Sequence, residues 1–265
     1  MLQKVIVYTA LDERDRNLIK TGVQLSVHFG KELCLFHQVS KGYQKENTDE
    51  KLKKYQQILH RDYPNLPVTM LVASFLRGKL AAHLADDHEA IIIIAGASEF
   101  KRLAVPLQNS PIPFLFVNEQ MDSAPDFGKI VFPVDLRRQN RDVLKWILYF
   151  GKFYQSEIIA IGANDKQESN RQLVAGHLSA LKNMLTRYKV THKIYRGTLN
   201  SLRVHHEGFE AAEQLHAGML VLLGSSFITL LDLLIGLPEE KIVKKADHFA
   251  VLVINPKRET YLVCE

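Results

Sequence analysis

The stretch KVIVYTALDERDRNLIKTG at residues 4–22 recurs without a gap as KIVFPVDLRRQNRDVLKWI at residues 129–147. Lys4, Arg16, Lys20 and Glu32 fall on Lys129, Arg141, Lys145 and Glu157, and Val5 and Ile6 fall on Ile130 and Val131. The match resumes where Ala90–Ser98 (AIIIIAGAS) meets Gly218–Ser226 (GMLVLLGSS), and again where Pro113–Asn118 (PFLFVN) meets Ala250–Asn255 (AVLVIN). Self-similarity at this period implies two copies of one unit. Divided in two, 265 residues leave each copy enough chain for a domain of common size.

In each copy, short β-branched runs alternate with longer segments of helical period, the sign of a parallel α/β sheet. The first copy is expected to place strands near Lys4–Ala10, Glu32–Val39, Pro67–Ala73, Ala90–Gly96 and Ile112–Val117. The second is expected to place them near Lys129–Val134, Glu157–Ile161, Val190–Tyr195, Met219–Leu223 and Phe249–Ile254. Leu52, Tyr55 and Leu59 recur at helical spacing between Asn47 and Tyr63, with Pro64 as the stop. Leu178, Leu181, Leu185 and Tyr188 form a second helical face. Runs such as IIII at 91–94 are apolar on both faces, as central parallel strands are. The polar EQMDSAPD segment reads as a linker, giving units at 1–118 and 127–265 joined by 119–126.

Hydrophobic residues at 46% and charged residues at 24% supply enough apolar side chains for two cores. The longest apolar runs fall far short of the roughly 20 residues that span a bilayer. The chain opens on Lys4 and a strand rather than a signal peptide, and Cys34 and Cys264 suggest neither a disulfide framework nor metal-ligand spacing. A cytoplasmic location without membrane insertion is the expectation. The net charge of +5 is spread among acids, with no basic stripe interleaved with aromatics, so nucleic acid is not an expected partner.

Open parallel sheets take ligands outside the carboxyl ends of their strands, which directs attention to the loops after the first and fourth strands of each copy. In the second copy these carry Val131–Asp135 (VFPVD), then Gly224-Ser225-Ser226, Gly236, Glu240-Lys241-Ile242-Val243 and the strand Ala250–Ile254. This constellation resembles the universal stress protein family, whose first strand ends in a P-V-D tripeptide. The family's last third runs from a glycine loop through a Glu-Lys helix to a V-L-V-V-like strand. The resemblance covers the chain as a tandem pair, is specific in the second copy and weak in the first. It implies two tandem parallel-sheet domains of the nucleotide-binding, adenine nucleotide alpha hydrolase-like type.

In nucleotide-binding members, the aspartate after strand one contacts adenine, and a loop G-x₂-G-x₉-G-[S/T] holds ribose and phosphates. Glycines let the backbone approach an anion, and free N–H groups at a helix start attract it. The resemblance therefore assigns ligand-binding positions to Val134, Asp135, Arg137, Arg138, Gly224, Ser225, Ser226 and Gly236. Phe227 replaces the second glycine, the segment before Gly236 is one residue short, Leu237 replaces the hydroxyl, and Pro238 lacks an N–H. Each lost charge-assisted hydrogen bond costs about 1.5–3 kcal/mol. In the first copy Ala10 holds the aspartate position, and the segment after Gly96 is short and broken by Pro106. No cofactor is expected, ATP being at most a weak ligand of the second unit.

Three further features have two readings each. Arg137, Arg138 and Arg141 near a helix start oppose the helix dipole, as an anion site or as solvated charge. His206 and Glu210, four apart, could share a metal, although Leu199–Gly208 reads as a surface excursion. Phe227–Leu237 (FITLLDLLIGL) is either a buried helix or a surface for a partner or a second copy. No nucleophile elbow, Walker loop or H-E-x-x-H helix is present, so no catalytic residue is assigned and the chain is not expected to be an enzyme. The expected role is a stress-response module with degenerate nucleotide sites, responding to a small anionic ligand or binding a protein partner or itself.

Overall fold

The computed structural model describes residues 2–39, 46–108, 110–225 and 237–255. Five strands of the first half are β1 (Lys4–Tyr8), β2 (Glu32–Gln38), β3 (Val68–Ala73), β4 (Ala90–Gly96) and β5 (Phe114–Val117). Those of the second half are β6 (Lys129–Val134), β7 (Glu157–Gly162), β8 (His192–Arg196), β9 (Met219–Leu223) and β10 (Ala250–Ile254). They form one sheet in the order β3-β2-β1-β4-β5-β10-β9-β6-β7-β8. The order of the second half is that of the first, run outward from the middle. Every pairing is parallel except β5 with β10, which is antiparallel and sets Phe114, Leu115 and Phe116 opposite Val253, Leu252 and Val251. Segment 119–126 carries neither helix nor strand.

Alternation along the strands sorts side chains into two layers. Val5 and Val7 join the core under α1 (Asp15–Phe29), α2 (Glu46–Asp62), α5 (Asn140–Phe153) and α6 (Glu168–Arg187). Ile6 and Tyr8 join the opposite core, under α3 (Leu80–His88), α4 (Phe100–Gln108), α7 (Val204–Gln214) and α8 (Pro238–Lys245). Each chain reversal about the first strand of a half places a strand-end opening there, since β1 and β6 each have a neighbour reached through either layer.

The strands fall where the apolar runs place them, with ends displaced by one or two residues, and α2 and α6 cover the two helical faces read from spacing. Three expectations change. Pro106 does not break its segment: it sits in the last turn of α4, where a missing N–H removes a single bond while Phe100, Leu103, Ala104 and Leu107 are buried. Tyr188 caps the C-terminus of α6 and is 56% exposed, so it leaves the face formed by Leu181 and Leu185. Leu199–Gly208 is only partly a surface excursion, because Val204 opens α7 and Gly208 lies close against Pro133 of β6, where a Cβ would be tightly crowded. The Phe227–Leu237 segment, apart from Leu237, lies outside the described residues, as does Cys264. Among the described residues no helix is long and apolar enough to cross a membrane.

The halves also meet through helices. Phe29, at the end of α1, packs its ring edge-on against Tyr149 (4.6 Å) and Phe150 (5.2 Å) of α5. Phe127, fully buried just before β6, reaches Phe150 and Tyr154 of the same cluster. Phe29→Ala is expected to destabilise the protein by about 3–5 kcal/mol through the cavity it leaves. Urea denaturation checks this, and a loss below about 1 kcal/mol would mean that the aromatic cluster contributes little to joining the halves.

Candidate functional site

At the carboxyl ends of β6 and β9 the structure opens a cleft of about 330 Å³ between α7 and α8. Pro133, Asp135, Arg137, His205, Ser225 and Glu239 line it. Asp135 is buried in the turn that leaves β6, and its Oδ1 accepts the Arg137 backbone N–H at 2.8 Å, a local turn that suits an aspartate. Its Oδ2 accepts Arg137 Nε at 2.7 Å, closing an ion pair. The guanidinium continues across the opening and donates Nη1 to the carbonyl of Gly224 at 3.1 Å. One side chain thus spans from the strand-one aspartate to the glycine of the strand-four loop.

Behind this bridge, the Asn140 amide donates to the carbonyls of Asp135 (2.9 Å) and Arg137 (2.7 Å), and His177 Nδ1 lies 3.1 Å from the Asp135 carbonyl. These contacts hold the turn from the opposite layer. Ser225 donates its hydroxyl to Glu239 Oε1 at 2.8 Å. Glu239 stands in the first turn of α8, is buried, and has its Oε2 without a partner among the described residues. Burial raises its carboxyl above the usual range, opposed by its hydrogen bonds and by Arg137. Burial also lowers His205 to about 4, with His206 and Arg137 adding to the shift, so the ring is neutral near pH 7.

The sequence-derived positions divide. Asp135, Arg137, Gly224 and Ser225 come together in this cleft. Val134 and Arg138 line a different cleft, between α5 and α6, with Arg141. The three arginines therefore do not assemble into one anion site: Arg137 turns toward Asp135, and Arg138 and Arg141 face the other layer. Both Arg137 and Arg138 precede α5, which begins at Asn140, so only Arg141 lies in its first turn. Ser226 and Gly236 lie outside the described residues. Leu237 caps α8 without a side-chain hydrogen bond and is 4% exposed, so it packs in the core at the hydroxyl's position. Glu207 spends its carboxylate on the backbone N–H groups of Thr198 (2.9 Å) and Leu199 (3.1 Å). No group of three or more His, Cys, Asp or Glu gathers for a metal among the described residues.

The first half fills its equivalent positions differently. Ala10 offers no side chain at the aspartate position, and Asp15, buried five residues on, accepts the N–H groups of Ala10 and Leu11 at 2.8 Å each. Asp15 occupies the repeat position of Asn140, so the carboxylate and its partner have exchanged ends of one turn. After β4, the backbone N–H and hydroxyl of Ser98 donate to Glu119. A Cβ on Gly96 would overlap that carboxylate, at 2.1 Å from its Oε1. In each half, then, a carboxylate of the chain itself occupies a serine of the strand-four loop, Ser98 in the first and Ser225, one repeat position earlier, in the second. Sequence reading missed Glu119, Glu239 and Asn140, and weighed His205 only beside His206 as a metal ligand; Asn140 had one signal, its alignment with Asp15.

No protein-family model matches the chain, and no curated protein matches it by sequence. Solved structures do. One is a functionally unknown protein from Pseudomonas aeruginosa PAO1, with 17% identity, a TM-score of 0.64, and coverage of 96% of this chain and 93% of that one. A candidate universal stress protein from Pseudomonas aeruginosa UCBPP-PA14 gives 17% identity, a TM-score of 0.65 and the same coverages. A universal stress protein from Archaeoglobus fulgidus gives 13% identity, a TM-score of 0.64, and 95% and 96% coverage. The chain has the α/β fold of the universal stress proteins over nearly its whole length.

The state of His205 carries a pH dependence. A histidine with a folded value near 4, against an ordinary 6.5, contributes stability that is present above pH 6.5 and lost as pH falls toward 4. Glu239, shifted upward, acts in the opposite sense and loses stability as pH rises through its folded value. His205→Gln is expected to lose less melting temperature than the parent across that acid window. Equal losses in parent and variant would show that His205 protonates freely in the folded protein.

Proposed function

We propose that this chain is a tandem universal stress-type protein whose two strand-end sites are closed by its own side chains. It acts as a non-enzymatic, cytoplasmic module of the stress response that answers to a small ligand or a protein partner, without ATP turnover. The observation that carries this reading is the Arg137 bridge from Asp135 to the Gly224 carbonyl. In the nucleotide-binding members that the sequence resembles, those two positions receive adenine and ribose. Here a nucleotide would have to displace the guanidinium, leaving the buried Asp135 carboxylate unpaired, and desolvating an unpaired charge is costly.

Three more features support the same reading. Ser225 is held by Glu239, Leu237 packs in the core where a phosphate-binding hydroxyl would stand, and Pro238 brings no N–H to the start of α8. In the first half Glu119 places negative charge on Ser98, where a phosphate would meet repulsion rather than a donor. A tandem chain also carries both halves of the sheet in fixed register, so its response to a ligand needs no second copy.

Millimolar ATP with magnesium is expected to leave the melting temperature unchanged, because a ligand far below its Kd adds nothing by RT ln(1 + [L]/Kd). A reproducible rise of several degrees that disappears in Asp135→Ala would overturn the closed-site reading.

A further inference from the structure

On the other layer of the sheet, α5 and α6 leave a cleft of about 530 Å³ between them. Its size falls in the range of about 300–1,000 Å³ that small-molecule sites occupy. The floor is apolar: Phe132, Leu144 and Leu181 are buried there. Leu173 at the rim is 55% exposed, a large apolar side chain left for something to cover.

The charged groups around this cleft have one sign. Arg138 and Arg141 line it with His177, and no aspartate or glutamate does. Both arginines are exposed, and neither makes an ion pair or a side-chain hydrogen bond among the described residues. The cleft of the first half beside α1 and α2 is lined by Asp12, Glu13, Asp15, Asp62, Glu119 and Asp122 beside Arg14, Arg16 and Lys20. The two clefts thus differ, one mixed and acid-rich, the other purely basic.

A glycine adds an independent observation. Gly176 lies in the interior of α6 and lines the cleft. Glycine weakens a helix relative to alanine, so its position calls for a reason. Gly22, Gly151 and Gly208 have one, since a Cβ there would come within 2.5, 2.4 and 3.0 Å of Val7, Val190 and Pro133. At Gly176 a Cβ would meet nothing within 4 Å. No protein atom requires the glycine, and the cleft is open beside it.

We infer that the α5–α6 cleft binds a small amphipathic carboxylate. Its apolar tail lies on Phe132, Leu144 and Leu173, and its carboxylate meets Arg138 and Arg141. Guanidinium groups pair with carboxylates through two parallel N–H···O bonds, which fixes orientation as well as charge. Asn140 and His177 belong to this cleft and also hold the Asp135 carbonyl. Occupancy here would therefore bear on the turn that carries Arg137 into the opposite cleft. The site is separate from the Asp135–Gly224 cleft, so its test does not depend on whether ATP binds.

The test is calorimetric titration of the full chain with sodium hexanoate, compared with hexan-1-ol and with inorganic phosphate. Hexanoate should bind saturably, and the alcohol and phosphate about tenfold or more weakly, because each lacks one half of the match. Arg138→Gln combined with Arg141→Gln should weaken hexanoate about ten- to a hundredfold while leaving the circular dichroism spectrum unchanged. Gly176→Leu should fill the cleft, raise helix stability and abolish binding. Absence of saturable binding to the parent would overturn the inference, as would phosphate binding as tightly as hexanoate. Undiminished affinity in the folded double-arginine variant would overturn it too, and that variant decides the matter if Gly176→Leu does not fold.

Discussion

The antiparallel contact of β5 with β10 is the constraint from which the architecture follows. Phe114–Val117 and Ala250–Ile254 are buried on both faces, and either strand left as an edge would expose apolar surface with unpaired backbone groups. Pairing them removes both edges at once and turns two five-stranded units into one ten-stranded sheet. The outer strand β8 is built for solvent instead: it carries His192, Lys193 and Arg196 with no fully buried residue. Because the join is antiparallel, the second half is turned about an axis through the middle of the sheet. Both clefts between paired helices then lie in the same layer.

Within that frame, matching positions of the two halves hold different contacts. Lys4 and Glu32 of the first half are register partners and form an ion pair at 3.2 Å. The identical residues Lys129 and Glu157 are register partners too, but Glu157 pairs with Lys193 at 2.8 Å and Lys129 reaches the Leu215 carbonyl. Conserving the letters of the repeat did not conserve the contact. The strand-end turns drifted in a correlated way, since a buried carboxylate needs donors wherever it sits. Asp15 draws on backbone N–H groups, while Asp135 draws on an N–H and a guanidinium.

The Asp135–Arg137 ion pair matters more for the space it fills than for its energy. With 38% of the arginine side chain exposed, such a pair contributes about 1 kcal/mol or less. Its position is what closes the cleft, as the guanidinium also satisfies a carbonyl of the loop after β9. The carboxylates of Glu119 and Glu239 act alike on their serines.

The gapless repeat, the two-face apolar runs and the helical spacings were legible in the sequence, and they set the fold class, the ten strands and the strand-end location of the site. They were legible because periodicity of burial is a local property, written in consecutive residues. Even Phe227, Leu237 and Pro238 departed locally from the phosphate-loop pattern of the family the sequence resembles. The sequence did not show that Arg137 would cross to Gly224, because Gly224 is brought near only when β9 lies beside β6. Nor did it separate Arg137 from Arg138: adjacent residues leaving a strand go to opposite layers, and three arginines that read as one patch became parts of two clefts. Glu119 and Glu239 were ordinary acids in the sequence. Only the tertiary structure set them on serines, because a buried hydrogen bond depends on distances that packing alone decides.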